Sequence, residues 1–382
     1  MIRLEDLTKI FRTPSGDVVA ADGVNMEVPE GEICILLGPS GCGKTTALKM
    51  INRLIAPTSG KIFIGDRDTS QLNDIELRRN IGYVIQQIGL FPNMTIEENI
   101  CVVPRLLQWD ITRAKARAAE LLDLVGLDAR QYLKRYPKEL SGGQQQRVGV
   151  IRALAADPPV MLMDEPFGAI DPINREIIKD EFLKMQSELK KTIMFVSHDI
   201  DEAVKMGDKI AIFRAGKIEQ YASPDRILAH PENAFVADFV GTDRTLKRLR
   251  LLTAEEVADR NAPITSRSTK VDDVRQVLAA SKARFAIVID GENRPVGFVT
   301  ADEMRGASGT VRELANRLPA TVPIRADLRA VVSEMFAHDT MWLACTDDNG
   351  RYAGVISQPD VTTALRATYA AAPNAARDPG AP

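Results

Sequence analysis

At 382 residues the chain is too long for one ordinary domain and predicts two or three, and 45% hydrophobic with 26% charged residues describes a globular chain able to bury a large core. A formal net charge of -3 excludes a globally basic nucleic-acid binder. The four cysteines, Cys34, Cys42, Cys101 and Cys345, form no CxxC pair and so suggest neither a disulfide framework nor a zinc site, which fits a reducing cytosol.

No charged-then-apolar leader opens the sequence, and no apolar run approaches the ~18 residues that cross a bilayer, so any membrane part is expected from another chain. From Met1 to about Gly241 short apolar runs alternate with amphipathic stretches, the pattern of a parallel sheet flanked by helices. The run EICILL (32–37) lacks polar alternation and predicts a strand buried on both faces. It leads into GPSGCGKTT, Gly38 to Thr46, and then into a helix KTTALKMINRL with Ala47, Leu48, Ile51 and Leu54 on one face. Strand, glycine loop and helix together make a phosphate site: glycines let backbone N–H groups converge on an anion where the helix dipole favours negative charge. Lys44 is placed to reach the terminal phosphates, and the Thr45 hydroxyl to hold magnesium.

Next in the chain, QIGLFPNMTIEEN (87–99) shows Leu90, Phe91 and Met94 near a proline. In LSGGQQQR, Ser141 reads as an N-cap, and the helix behind it carries Val148, Ile151 and Leu154 inward, so the turn aims amides and a hydroxyl outward. VMLMDEP sets Asp164 and Glu165 at the carboxyl end of a buried strand, where open parallel sheets bind ligands. Asp164 is placed to bind magnesium, and Glu165 to polarise the water that attacks a terminal phosphate. His198, in VSHD after the buried strand TIMFV (192–196), is one of three histidines and stands where a further polar group would converge on that phosphate. Alone, an Asp-Glu pair is usually a solvated turn and an isolated histidine usually structural, so these readings rest on the glycine loop upstream.

After Gly241 comes a basic stretch, TDRTLKRLRLL, and then a duplication. FAIVIDGENRPVGFVT (285–300) and WLACTDDNGRYAGVIS (342–357) each read as strand, tight turn and strand, preceded at nearly the same offset by the helical stretches VDDVRQVL (271–278) and LRAVVSEM (328–335). The last dozen residues have no apolar periodicity and predict a disordered tail.

The first 242 residues closely resemble the nucleotide-binding subunits of ABC transporters. The resemblance implies a Walker A loop at Gly38, Pro39, Ser40, Gly41, Cys42, Gly43, Lys44, Thr45 and Thr46, a Q-loop glutamine at Gln86 that joins Thr45 and Asp164 around Mg2+, a signature motif at Leu140 to Gln144, a catalytic glutamate at Glu165, a D-loop from Ala169 to Asp171, and a switch histidine at His198. Phe11 stands where the family places an aromatic against adenine. The family's signature motif touches ATP held by the opposite subunit. It therefore implies a head-to-tail homodimer in which Ser141, Gly142, Gly143, Gln144 and Asp171 contact the partner's nucleotide.

The duplicated segment resembles a pair of CBS domains, with Ser357 and Asp360 in the second repeat as the family's ligand element and Glu303 replacing the aspartate in the first, which suggests inequivalent sites. The expected organisation is an α/β P-loop ABC ATPase domain over 1–242, with a mainly parallel sheet and a helical subdomain, then a basic linker helix over 243–262, CBS repeats (α+β) at 263–306 and 307–370, and a tail at 371–382.

With one nucleotide domain and no membrane span, the pore falls to separate permease subunits, and the resemblance implies that they are gripped through the region around Phe91 and that a substrate-binding protein acts through the permease. The chain would then be peripheral at the cytoplasmic face of the plasma membrane. An ABC domain followed directly by a CBS pair resembles the ATPase subunit of quaternary-amine osmoprotectant importers. An importer of another small solute such as an amino acid is the alternative, and a soluble ABC ATPase of DNA repair or translation a more distant one. The CBS pair is expected to regulate by binding a nucleotide or by sensing ionic strength through Arg244, Lys247, Arg248 and Arg250 near anionic lipid, if it does more than dimerise.

Overall fold

Strands β1 (Ile2–Thr13) and β2 (Gly16–Val28) form a long antiparallel hairpin, β3 (Ile33–Leu37) leaves it for a second sheet, and β4 (Ser59–Ile64) and β5 (Arg67–Asp68) return to extend the hairpin. The second sheet adds β6 (Ile81–Val84), β7 (Val160–Asp164), β8 (Thr192–Val196), β9 (Lys209–Arg214) and β10 (Lys217–Ala222), in the order β10-β9-β3-β8-β7-β6. All its neighbouring pairs are parallel except β9 with β10. This computed structural model describes residues 1–14, 16–85, 89–168, 170 and 172–370.

The three runs without polar alternation are the three central strands. β3, β7 and β8 are buried at every position, which an apolar run can sustain only with cover on both faces. The antiparallel sheet was not anticipated, because β1 and β2 are only half-buried and their register shifts between Leu4 and Ile10 break the period-two pattern.

The Lys44–Ile51 helix buries Ala47, Leu48 and Ile51 as expected, but Leu54 is 49% exposed. The helix stops first: Arg53 takes a left-handed φ of 48°, and its guanidinium donates to the Thr69 and Leu72 carbonyls at 2.9 and 2.7 Å. The Gly142–Leu154 helix turns Val148, Ile151 and Leu154 inward.

Residues 1–227 and 231–241 form one compact unit; 228–230 and the chain from Thr242 onward form another. In the second unit the duplication is literal. Strands β11 (Ile264–Ser266), β12 (Phe285–Ile289) and β13 (Pro295–Thr300) are matched by β14 (Thr321–Pro323), β15 (Trp342–Thr346) and β16 (Tyr352–Ser357), each set a three-stranded sheet with one parallel and one antiparallel pairing. The Val271–Ser281 and Leu328–Ala337 helices stand between the first and second strand of each set. Phe285 and Trp342, which open equivalent strands, stack with centroids 4.2 Å apart, and Phe298 meets Trp342 edge-on at 5.1 Å.

The basic stretch departs from expectation. The linker helix expected over 243–262 is instead two short helices, Arg244–Arg248 and Ala254–Val257. Arg248 is 1% exposed with Nη1 donating to the Leu365 carbonyl, and Lys247 lies 2.6 Å from Asp243, its side chain 12% exposed. A four-residue basic surface therefore does not exist, because Arg248 is buried together with its guanidinium, which is hydrogen-bonded as a buried charge must be.

Candidate functional site

Three loops converge at the carboxyl ends of adjacent parallel strands. β3 runs into the glycine loop, β7 into Glu165, and β8 into Ser197 and His198. Ligands of open α/β sheets collect at this edge.

Backbone sterics dictate the loop. Gly43 caps the Lys44–Ile51 helix at φ 109°, and a Cβ there would lie 2.0 Å from the Ala20 carbonyl oxygen of β2; one on Gly38 would lie 2.3 Å from the Phe213 oxygen of β9. The Gly216 N–H donates to the Cys42 carbonyl at 3.0 Å, so neighbouring strands clamp the loop from outside. Pro39, Ser40 and Gly41 are exposed at its tip, while Cys42, Gly43 and Lys44 are buried. Lys44 Nζ donates to the Gly38 and Pro39 carbonyls at 2.7 and 2.9 Å, which aims a cation into the arc of amides. Thr46 follows in the first helical turn. A Gly43→Ala variant is expected to lose ATP affinity about a hundredfold, read by titration with a fluorescent nucleotide, because a Cβ clash together with left-handed strain costs about 3 kcal/mol.

Thr45 Oγ1 donates to Asp164 Oδ1 at 2.9 Å. Asp164 is 6% exposed; burial raises its carboxyl above the ordinary range and the Glu165 charge adds to this, while the Thr45 hydroxyl, Lys49 and Lys44 pull it down. A buried carboxylate beside a hydroxyl at the mouth of a phosphate loop is a donor set that a hard divalent cation satisfies, and its charge favours the ionised carboxylate. Mg2+ therefore fits these residues.

Glu165 adopts φ 46°, a left-handed conformation unusual for a non-glycine residue. It is held there by its N–H to the Val196 carbonyl at 3.0 Å and by its own carbonyl, which accepts the Gly168 N–H at 3.1 Å. Phe167 anchors the turn, packing edge-on against Phe195 and Phe182 at 5.7 and 5.9 Å. His198 Nδ1 lies 3.5 Å from Glu165 Oε1, its side chain 63% exposed. The two neighbouring carboxylates thus have different surroundings, one buried against Thr45 and the other turned toward an open imidazole.

Ser141 caps the Gly142–Leu154 helix in a reciprocal box: its hydroxyl accepts the Gln144 N–H at 3.3 Å, and Gln144 Oε1 accepts the Ser141 N–H at 3.0 Å. Gln144 Nε2 donates to the Tyr132 hydroxyl at 2.9 Å, and Arg147 donates to the Val125 carbonyl at 2.9 Å and pairs with Glu181 at 3.2 Å. Neither Tyr132 nor Arg147 was expected from sequence, since each supports the turn from a distance in the chain that no motif encodes. The turn borders a cavity of about 470 Å³ that includes Ser141, Gly142, Gly143 and Gln144 and none of Gly38 to Thr46. Within one chain, the glycine loop contributes no residue to the cavity at this turn.

Phe11 lies on β1, beside the strand that backs the loop, 37% exposed with Lys9 Nζ 5.0 Å from its ring centre. Gln86, Ala169 and Asp171 lie outside the described residues. In the second unit Ser357 N–H and Oγ both donate to Asp360 Oδ2, and Thr300 N–H and Oγ1 both donate to Glu303 Oε2. The aspartate and the glutamate close the same local motif, so the two repeats are alike here despite the substitution.

The ABC transporter family profile matches residues 21–168, and the CBS domain profile matches 254–309 and 311–367. The osmoprotectant import ATP-binding protein OsmV of Salmonella typhimurium is 59% identical to this chain, over 94% of each. The glycine betaine/carnitine/choline transport ATP-binding protein OpuCA of Bacillus subtilis is 43% identical, again over 94% of each. Among solved structures, the ATP-binding cassette MJ0796, dimeric in a post-hydrolysis state bound to ADP and Pi, is 36% identical with a TM-score of 0.53, over 59% of this chain and 99% of that one.

Proposed function

This chain belongs to the ABC transporter family, among the ATP-binding subunits of osmoprotectant importers, and on that premise we propose which residues carry its chemistry and what cargo it energises. It binds and hydrolyses ATP. The amides of Gly38 to Thr46 and the Lys44 ammonium cradle the phosphates, with adenine against Phe11. Thr45 and Asp164, with Gln86, hold Mg2+, which neutralises phosphate charge when bound. Glu165 accepts a proton from the attacking water, and His198 orients the Glu165 carboxylate and approaches the terminal phosphate. The observation that carries this reading is the constellation of Thr45, in the first turn of the helix after the glycine loop, with Asp164, Glu165 and His198 at adjoining strand ends.

Ser141 to Gln144 and Asp171 complete the site of a second copy across a head-to-tail dimer. The separate cavity at the signature turn supports this arrangement. Closure of the dimer on ATP drives the permease subunits to another access state, and hydrolysis resets it. Among the described residues no helix is long and apolar enough to cross a membrane. Phe91 and Met94, 46% and 38% exposed, are the surface offered to a permease helix at the cytoplasmic face of the membrane, and a substrate-binding protein delivers cargo through that permease.

The cargo is a quaternary amine of the glycine betaine, carnitine, choline or proline betaine kind, and the CBS pair adjusts activity. Liposomes that enclose ATP and carry the chain on the inner face of its permease subunits, with the substrate-binding protein outside, are expected to accumulate glycine betaine, and neither histidine nor a sugar. Histidine uptake without betaine uptake would replace the cargo, and betaine uptake independent of salt concentration would remove ionic strength as the CBS signal.

A further inference from the structure

Ser197, one residue before His198, is 1% exposed, and its N–H donates to the Leu36 carbonyl at 3.1 Å, in register with β3 and β8. Its hydroxyl donates to Glu202 Oε2 and accepts the Asp199 N–H at 3.0 Å. One hydroxyl therefore fixes the backbone on both sides of His198.

Glu202 is 7% exposed, and a carboxylate so buried needs a counter-charge. Lys179, 2% exposed, supplies it: Nζ lies 3.5 Å from Glu202 Oε1 and donates to Glu176 Oε1 at 3.1 Å. Burial pushes the Glu202 carboxyl up, while the Ser197 hydroxyl and Lys179 oppose the shift. Lys179 belongs to the Pro172–Leu189 helix, which follows the D-loop, and Glu202 to the Ile200–Met206 helix, so three separate elements meet in this network. Apolar replacement of a buried ion pair is often neutral or stabilising, which makes stability a weak reason for its presence directly behind a functional loop.

We propose that Ser197, Glu202 and Lys179 form a positioning relay that fixes His198 against Glu165 and ties its placement to the helix beginning at Pro172. The relay rests on the reading of His198 as a group acting at the terminal phosphate. None of the three touches substrate; they act through His198.

The test uses the full-length chain, with phosphate release for turnover and a fluorescent ATP analogue for affinity. Ser197→Ala is expected to lower kcat about tenfold with nucleotide affinity held within about twofold, a split that general loss of structure does not produce. Glu202→Gln, whose amide oxygen still accepts the Ser197 hydroxyl, should keep kcat within about threefold. In a His198→Ala background, Ser197→Ala should leave single-turnover rates unchanged, because residues acting as one unit are non-additive. A kcat unaffected by Ser197→Ala, affinity falling in parallel with kcat, or a further full-sized loss in the His198→Ala background overturns the relay. If Ser197→Ala does not fold, Lys179→Met carries the test: a severalfold loss of kcat at constant affinity supports the relay and an unchanged kcat overturns it. Wild-type turnover in His198→Ala alone would overturn the catalytic reading of His198 together with the relay, whereas an inactive His198→Ala beside a silent Ser197→Ala removes the relay only.

Discussion

The Glu165→Gln variant is expected to bind ATP as the native chain does, to hydrolyse it about 10²–10⁴-fold more slowly, and to accumulate as an ATP-bound dimer. The amide keeps the size of the side chain and its polar contact toward His198 but cannot take a proton from water. The position is already set by backbone: φ 46° at Glu165 is held by the Val196 carbonyl and the Gly168 N–H, neither of which involves the side chain. Asp164 cannot substitute as the base, since it is buried and engaged by the Thr45 hydroxyl. Phosphate release and light scattering with and without ATP read both halves of the expectation. Turnover within about tenfold of native would move the base to another group. A variant that bound ATP yet stayed monomeric, with its permease subunits present as well, would refute the nucleotide sandwich.

Most of this site was legible because its chemistry is local in sequence. A glycine loop, a carboxylate pair and a histidine each stand at the end of a strand buried at every position, and burial of β3, β7 and β8 on both faces is what makes those strands recognisable. The Ser141 cap was legible for the same reason, as Ser and Gln three apart encode a reciprocal box. Contacts that cross the chain were not. The Tyr132 hydroxyl under Gln144, the Lys179 and Glu202 pair behind His198, and Arg248 drawn into the second unit each depend on which helix packs where, and nothing in the local pattern distinguishes a buried arginine from a solvated one. Leu54 failed for a subtler reason: its spacing suits the helix, but a left-handed Arg53 ends the helix before the spacing applies. The left-handed Glu165 was equally invisible, because sequence names the residue and not the turn that holds it.

A mixed dimer of two inactive chains should regain activity, and this follows from the separation of the signature turn from the glycine loop. Gly142 has nothing within 4 Å of where a Cβ would stand, so Gly142→Asp should fold without strain and act only on what approaches from outside. Its carboxylate would face the partner's terminal phosphate and repel it. Homodimers of Gly142→Asp carry that defect at both sites, and homodimers of Glu165→Gln lack the base at both. Combining one chain of each places both defects at one composite site and leaves the other wholly native, so dimers isolated through two different tags should hydrolyse ATP at about half the native rate if the sites act independently. Were the signature turn to serve the nucleotide of its own chain, each site in the mixed dimer would still hold one defect and activity would stay at the level of the homodimers. Recovery in single-turnover hydrolysis therefore establishes the head-to-tail arrangement, and its absence, with the mixed dimer formed and loaded with ATP, eliminates it.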